Sequence, residues 1–316
     1  MYSSPHQSDS HPQPALLQVL KGVRILSLAL NLPGPAALMR CRHMGAQCIK
    51  LEPPSGDPMR HYSPAAYAEL HQGIEVSQVD LKTEAGQDTL HQRLTDTDVL
   101  LTSFRPSAIE KLGLGWTVLQ QRHPALSHVD IVGSPGADAE QPGHDLTYLA
   151  GEGLVTDLAL PATLFADMGG SLLASEAILQ AVLLRRGNQC AAAGVHLEVA
   201  LSSAAHYLAM PRRWGLTVPT GTVGGAHAGY AMYACRDGRV AVAALEQHFA
   251  HRLGRAAGLV GVSTQDLTEP EAHARLKAFF GSKSRQELNA LAETEDIPLL
   301  TLPAPDRIAG LGPRST

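Results

Sequence analysis

No uninterrupted apolar run reaches the ~18 residues needed to cross a bilayer. Residues 1–14, MYSSPHQSDSHPQP, carry no apolar stretch of the kind a secretory leader requires. They are polar and proline-rich, so residues 1–18 are expected to be a disordered tail. Strong charge of either sign is missing as well: a net charge of −5 excludes any global pull towards nucleic acid or anionic lipid. The four cysteines, Cys41, Cys48, Cys190 and Cys235, show neither CxxC nor His-rich metal spacing and read as reduced thiols. His248 and His251 follow Glu246 without forming HExxH, so no metal site is expected. Internal repeats are absent too. These absences point to a soluble cytoplasmic protein with neither nucleic-acid nor membrane partners.

What is present is an alternation. With 316 residues the chain has room for two domains. Val23–Leu30 reads as a strand, the turn from Asn31 to Pro35 leads into a helix ending near Met44, and Gln47–Leu51 reads as the next strand. That order belongs to a parallel sheet. Only Gly34 occupies a turn where a dinucleotide fingerprint needs three glycines, so a plain NAD site is rejected. After a loop from Pro53 to Pro64, strands are expected at Val76–Leu81, Asp98–Thr102, His128–Gly133 and Val195–Leu201. Helices are expected at Thr83–Leu94, Ala108–Leu112, Trp116–Gln121 and Ser202–Trp214. Residues 19–214 thus read as a Rossmann-like large domain. The glycine- and threonine-rich stretch 215–229 reads as a linker or mobile loop. Residues 230–316 read as a small α+β domain, opening with a hairpin about Arg236, Asp237 and Gly238.

The stretch from Pro142 to Arg185 concentrates the chemistry. Apolar residues at Leu172, Leu173, Ala177, Ile178, Ala181 and Val182 fall on one helical face. Asp167 stands where that helix is expected to begin, as a cap held ionised by the helix dipole. Gly169 and Gly170 follow it, which suggests a close approach to the backbone, with a ligand as one candidate.

In order along the chain, LKGVRILSLALNLPGP, MGAQCIKLEPPSGDPMR, VDLKTEAG, SFRPSAIEKLGLG, PGHDLTYLAGEG, FADMGGSLL and RDGRVAVAALEQHF resemble the class III CoA-transferase family, CaiB/BaiF type. The resemblance runs from about residue 20 to about residue 303 and implies an α/β fold: a Rossmann-like large domain with a parallel sheet, a smaller α+β domain, and two chains interlocked as a homodimer. Most transferases of the family use the aspartate at the Asp167 position as a nucleophile and carry tyrosine at the His144 position. The α-methylacyl-CoA racemase branch has GHD there and a glutamate after the small-domain hairpin, as this chain does with His144 and Glu246.

The resemblance therefore implies inversion of the carbon next to a thioester carbonyl. That needs one group to remove the proton from one face and another to return a proton to the opposite face. His144 and Asp167 fit this pair, Glu246 fits a partner that orients the imidazole, and N–H groups at Asp167, Met168 and Gly169 are the expected donors to the enolate. Coenzyme A would enter as part of the acyl-CoA substrate, with no permanently bound cofactor. Its contacts carry over to Leu32, Val79, Asp80, Lys82, Ser103, Phe104, Arg105 and Lys111.

Three departures stand out. Ile74 and Glu75 replace two cations of a basic turn, Pro53 replaces an arginine that some members carry, and the segment that returns to the large domain in relatives is not found before Thr316. Charge-assisted contacts contribute ~1.5–3 kcal/mol each, so losing two would weaken CoA binding on the order of a hundredfold. CoA transfer through an aspartyl intermediate, or a non-catalytic relative, are the alternatives.

Overall fold

A computed structural model describes residues 17–187, 193–259 and 263–304. The expected tail, apart from Leu17 and Gln18, and Cys190 lie outside these residues. The chain divides into two units, Met1–Ala209 and Met210–Thr316.

The first unit holds strands β1 (Arg24–Ser27), β2 (Gln47–Glu52), β3 (Glu75–Gln78), β4 (Val99–Thr102), β5 (Ser127–Val132) and β6 (His196–Ala200) in one sheet ordered β3-β2-β1-β4-β5-β6. Every pairing is parallel. Parallel strands need crossovers, and the crossovers place helices on both faces. One face is covered by α1 (Pro33–His43) and α8 (Phe165–Arg186), through Leu38, Cys41, Ala174 and Ile178. The other is covered by α4 (Glu84–Leu94), α5 (Pro106–Lys111) and α6 (Trp116–Arg122), through Leu90, Leu94, Ile109 and Leu119. Covered twice, β4 and β5 are buried along their whole length. The strand order reverses between β1 and β4, so the loops leaving these neighbours diverge and open a crevice at their carboxyl ends.

The remaining helices of this unit are α2 (Met59–Tyr62), α3 (Pro64–Leu70), α7 (Asp145–Gly151) and α9 (Leu201–Leu208). The first two occupy the stretch expected as a loop from Pro53 to Pro64 and continue beyond it. Neither is long enough to display a helical period in sequence.

The long helix α8 differs from its expected form in two ways. Its buried face is made mostly of small residues, among them Gly170, Ser171, Ala174, Ser175 and Ala177, whereas Leu172 is exposed. Gly169 and Gly170 admit another helix rather than a ligand: a Cβ at Gly170 would lie 2.3 Å from Leu201 Cδ2, and one at Gly169 would lie 3.3 Å from Ala204 Cβ. By length and composition α8 is apolar enough to cross a membrane. Its small-residue face is packed in the core beside Val129 and Ile131 of β5.

In the second unit, α10 (Met210–Arg213) is followed by an antiparallel sheet of β7 (Tyr230–Cys235), β8 (Gly238–Ala243) and β9 (Leu299–Pro303). Helices α11 (Gln247–Ala256), α12 (Pro270–Gly281) and α13 (Arg285–Glu295) share a core with it around Val240, Leu253, Leu276, Phe280 and Leu288. Residues 215–229, expected as a linker, belong to this unit and fold back on themselves. A Cβ at Gly221 would lie 2.1 Å from the Gly215 carbonyl oxygen, and one at Gly224 would lie 1.9 Å from that of Val218. Glycine serves here for close backbone approach.

Helix α1 is pressed against the strand it leaves, since a Cβ at Gly34 would lie 2.2 Å from that of Ala29. Gly34→Ala is expected to cost ~1–3 kcal/mol, read as a lower thermal unfolding midpoint. An unchanged midpoint would show that α1 has room to move away.

Candidate active site

A cavity of about 550 Å³ opens at the reversal point of the sheet. The loop after β1 contributes Leu30, Asn31 and Leu32, the loop after β4 contributes Ser103, Phe104 and Arg105, and the end of β5 contributes Ile131, Val132 and Gly133. His144 and Tyr148 enter from α7 and the turn before it, Leu164 and Asp167 from the start of α8, and Met59 and Tyr62 from α2. The β1 and β4 loops are tied together where the Leu30 N–H donates to Ser103 Oγ, 3.1 Å away.

Asp167 is not the cap of its helix. Leu164 holds the N-cap position, and the cap is supplied across space by buried Asp145. Asp145 Oδ1 accepts from the N–H of Ala166 at 2.6 Å and of Asp167 at 3.0 Å. The positive end of the helix dipole is thus compensated by a different carboxylate. The effect on Asp167 is opposite to that expected: burial, reinforced by the neighbouring Asp145 charge, raises its carboxyl to about 6, while His144 pulls the other way. Two of the three expected enolate donors are likewise in use. The Asp167 N–H goes to Asp145, and that of Met168 to the Leu164 carbonyl at 3.0 Å.

His144 is exposed at the N-cap of α7, its backbone N–H donating to Thr147 Oγ1 at 3.0 Å. Tyr148 lies one turn further on. Its phenol is pushed up by burial and by the charge of Asp167. Its hydroxyl fits because positions 133 and 143 are glycine: a Cβ there would lie 2.3 and 2.5 Å from it.

Of the positions expected to meet coenzyme A, Leu32, Ser103, Phe104 and Arg105 line the cavity; Val79, Asp80, Lys82 and Lys111 do not. Val79, Asp80 and Lys82 form the turn after β3, where Asp80 Oδ1 accepts from the Lys82 N–H at 3.0 Å. Lys111 ends α5. The replaced basic turn is also away from the cavity: Ile74 is buried in the core, and Glu75 pairs with Arg93 at 3.1 Å. Glu246 belongs to the second unit, exposed at the N-cap of α11.

Beneath the cavity lies a charged cluster that the sequence did not disclose. The fully buried Lys50 Nζ meets Asp57 at 2.5 Å, Glu52 at 3.2 Å and His71 Nε2 at 2.9 Å. His71 Nδ1 donates to the Tyr67 carbonyl at 2.7 Å, so Nε2 carries the lone pair that receives Lys50. Burial, and secondarily the Lys50 charge, lower the His71 pKa and keep the ring neutral. Glu52, Asp57 and His71 are close enough to ligate a metal, but the ammonium stands among them and already supplies the positive charge. The sequence signal was a lysine inside a strand expected in a parallel sheet.

Asp57 links this cluster to the cavity wall. Its two oxygens each lie 3.2 Å from the Asn31 N–H, and Oδ1 also accepts from Met59 N–H at 2.9 Å.

Asp167 binds more protons folded than unfolded between its ordinary pKa of 3.8 and its raised value near 6. Stability is therefore lost as pH rises through that window. Asp167→Asn carries no such loss and is expected to exceed the wild type above pH 6 by on the order of 1 kcal/mol in urea denaturation, after allowance for partial exposure. In Asp145→Asn, carboxyl-¹³C NMR is expected to show Asp167 titrating below the wild-type value. An unmoved titration would exclude the Asp145 charge as a cause.

Residues 20–309 match the family model described as CoA-transferase family III. Among curated proteins, cinnamoyl-CoA:phenyllactate CoA-transferase of Clostridium sporogenes is 32% identical over 44% of this chain and 37% of its own. A probable fatty acyl-CoA transferase of Mycobacterium tuberculosis is 34% identical over 54% of this chain and 48% of its own. These matches span half or less of the two relatives. Human α-methylacyl-CoA racemase is 27% identical over 89% of this chain and 78% of its own. Crystal structures of a hypothetical protein from Mycobacterium tuberculosis (TM-score 0.77, 24% identity, 89% of this chain and 83% of that one) and a CaiB/BaiF family protein from Brucella suis (TM-score 0.74, 22% identity, 89% and 83%) share the fold.

Proposed function

Because the chain belongs to CoA-transferase family III, which comprises enzymes acting on CoA thioesters, we propose that it is a racemase or epimerase inverting the α-carbon of a 2-methylacyl-CoA. The observation that carries this reading is the Asp167 carboxyl, raised to about 6 in the same cavity as His144. A group that must both take and give a proton works best with a pKa near the working pH. Histidine is the other side chain that ordinarily titrates there.

With one proton shared between them, the pair serves both directions. Ionised Asp167 removes the α-proton while the His144 imidazolium returns one to the opposite face. The other hand of substrate is met by neutral His144 and protonated Asp167. Each turnover moves the shared proton from one residue to the other, and proton exchange with water or reverse turnover resets the pair. Leu32, Ser103, Phe104 and Arg105 are proposed to hold the CoA thioester, with Asp80, Lys82 and Lys111 further along its length. The role of Glu246 rests on the family resemblance alone, as does homodimerisation, which fits the exposed apolar residues Phe165, Met168 and Leu172 on α8.

CoA transfer through Asp167 is the second reading, supported by the transferases among the relatives. The two separate in one experiment. With 2-methylacyl-CoA in D₂O, ¹H NMR is expected to show α-deuterium with wild type and a loss of at least ~10²-fold in Asp167→Ala and His144→Ala. Absence of exchange, together with a hydroxylamine-sensitive acyl-enzyme and a requirement for an acceptor acid, would replace the racemase by a transferase.

A further inference from the structure

Removing an α-proton places negative charge on the thioester oxygen, and that charge needs hydrogen-bond donors aimed at it. Around Asp167 the N–H groups of residues 166–168 are committed to Asp145 and the Leu164 carbonyl. Other side chains on the cavity wall carry donors as well.

Asn31 is the outstanding feature there. It is a non-glycine residue at φ +64°, a left-handed conformation that asparagine adopts more readily than other side-chain-bearing residues. Asp57 holds it there by taking the Asn31 N–H, and Lys50 in turn fixes Asp57. The Asn31 side chain then meets the Tyr62 hydroxyl, 3.4 Å from Oδ1. Both residues line the cavity. The Tyr62 phenol is raised by burial and then by the charges of Asp57 and Asp167, and Asp167 lines the same cavity.

A count of hydrogens gives the consequence. A carboxamide offers two donors and a phenol one. In the contact between them the Tyr62 O–H donates to Asn31 Oδ1, which uses the phenol's hydrogen and leaves the two Asn31 Nδ2 hydrogens without a partner among the described residues. We propose that Asn31 Nδ2, oriented by Tyr62, donates to the thioester carbonyl oxygen of the substrate and holds the enolate, with Asn31 as a catalytic residue and Tyr62, Asp57 and Lys50 as the residues that position it. This rests on the racemase reading for its chemistry, but a carbonyl held there is polarised whether the next step is proton removal or acyl transfer.

The test reads the carbonyl directly. Isotope-edited infrared spectra of 2-methylpropanoyl-CoA, ¹³C-labelled at the thioester carbon, are compared free and bound to the wild type, Asn31→Gly and Tyr62→Phe. Glycine accepts the left-handed backbone without strain, so the first variant keeps its fold. The bound carbonyl stretch is expected to fall in the wild type. The shift is expected to shrink in Tyr62→Phe and vanish in Asn31→Gly, with affinity changed less than about tenfold. The α-deuterium exchange rate is expected to drop ~10²-fold in Asn31→Gly at little-changed KM.

Wild-type shift and exchange surviving in both variants would overturn the assignment while leaving the racemase reading intact. A lowered stretch that depends on both residues, but no exchange in the wild type, would overturn the racemase reading and leave the assignment standing. No binding of the thioester at millimolar concentration would overturn both.

Discussion

The acceptance of two backbone N–H groups by Asp145 is the contact on which the site depends. It seats α8 on α7, satisfying donors that a helix start leaves without partners. It also sets a second carboxylate beside Asp167 in a partly buried place, where like charges raise one another's cost of ionisation. These two bonds thus fix the position of Asp167, and the carboxylate that makes them adds to the effect of burial on its proton affinity. The same two bonds commit the N–H groups of residues 166 and 167, which leaves an oxyanion, as proposed, to the wall at Asn31.

That far wall has its own support. A lysine, two carboxylates and a neutral histidine share the interior beneath Asn31. Burying such charges costs several kcal/mol per ion unless each is well paired. Here each is paired: Lys50 with three acceptors, Asp57 with two backbone N–H groups, and Glu52 with Tyr67 Oη at 2.8 Å and the Asp57 N–H at 3.2 Å. An apolar set of the same size would serve stability as well. What the charged set adds is direction, because it holds the Asn31 N–H and so fixes the loop after β1 in its left-handed turn.

Legibility differed between levels for identifiable reasons. The six parallel strands were all anticipated, because apolar runs of strand length alternate with helical periods. The dinucleotide site was set aside on glycine spacing alone, since the strand order is the one such sites use. The short helices α2, α3 and α7 were missed because four to seven residues cannot display a period. His144 and Asp167 were found through the ordered family motifs and share a cavity; Leu32, Ser103, Phe104 and Arg105 were found the same way. Asp145 stood next to His144 in the same motif, yet adjacency gave no sign that its carboxylate turns to another helix.

The sequence by itself determined the alternation of strands and helices, the family, and the residue types available for proton transfer, since these depend on local pattern and on the order of motifs along the chain. Only the tertiary structure decided which carboxylate caps α8, why Asp167 holds its proton more tightly than an aspartate in water, and how Lys50 comes to brace Asn31. Each of those properties is a Coulomb or hydrogen-bond term between groups distant in sequence, and its sign and size depend on separations and burial that exist only once the chain has folded.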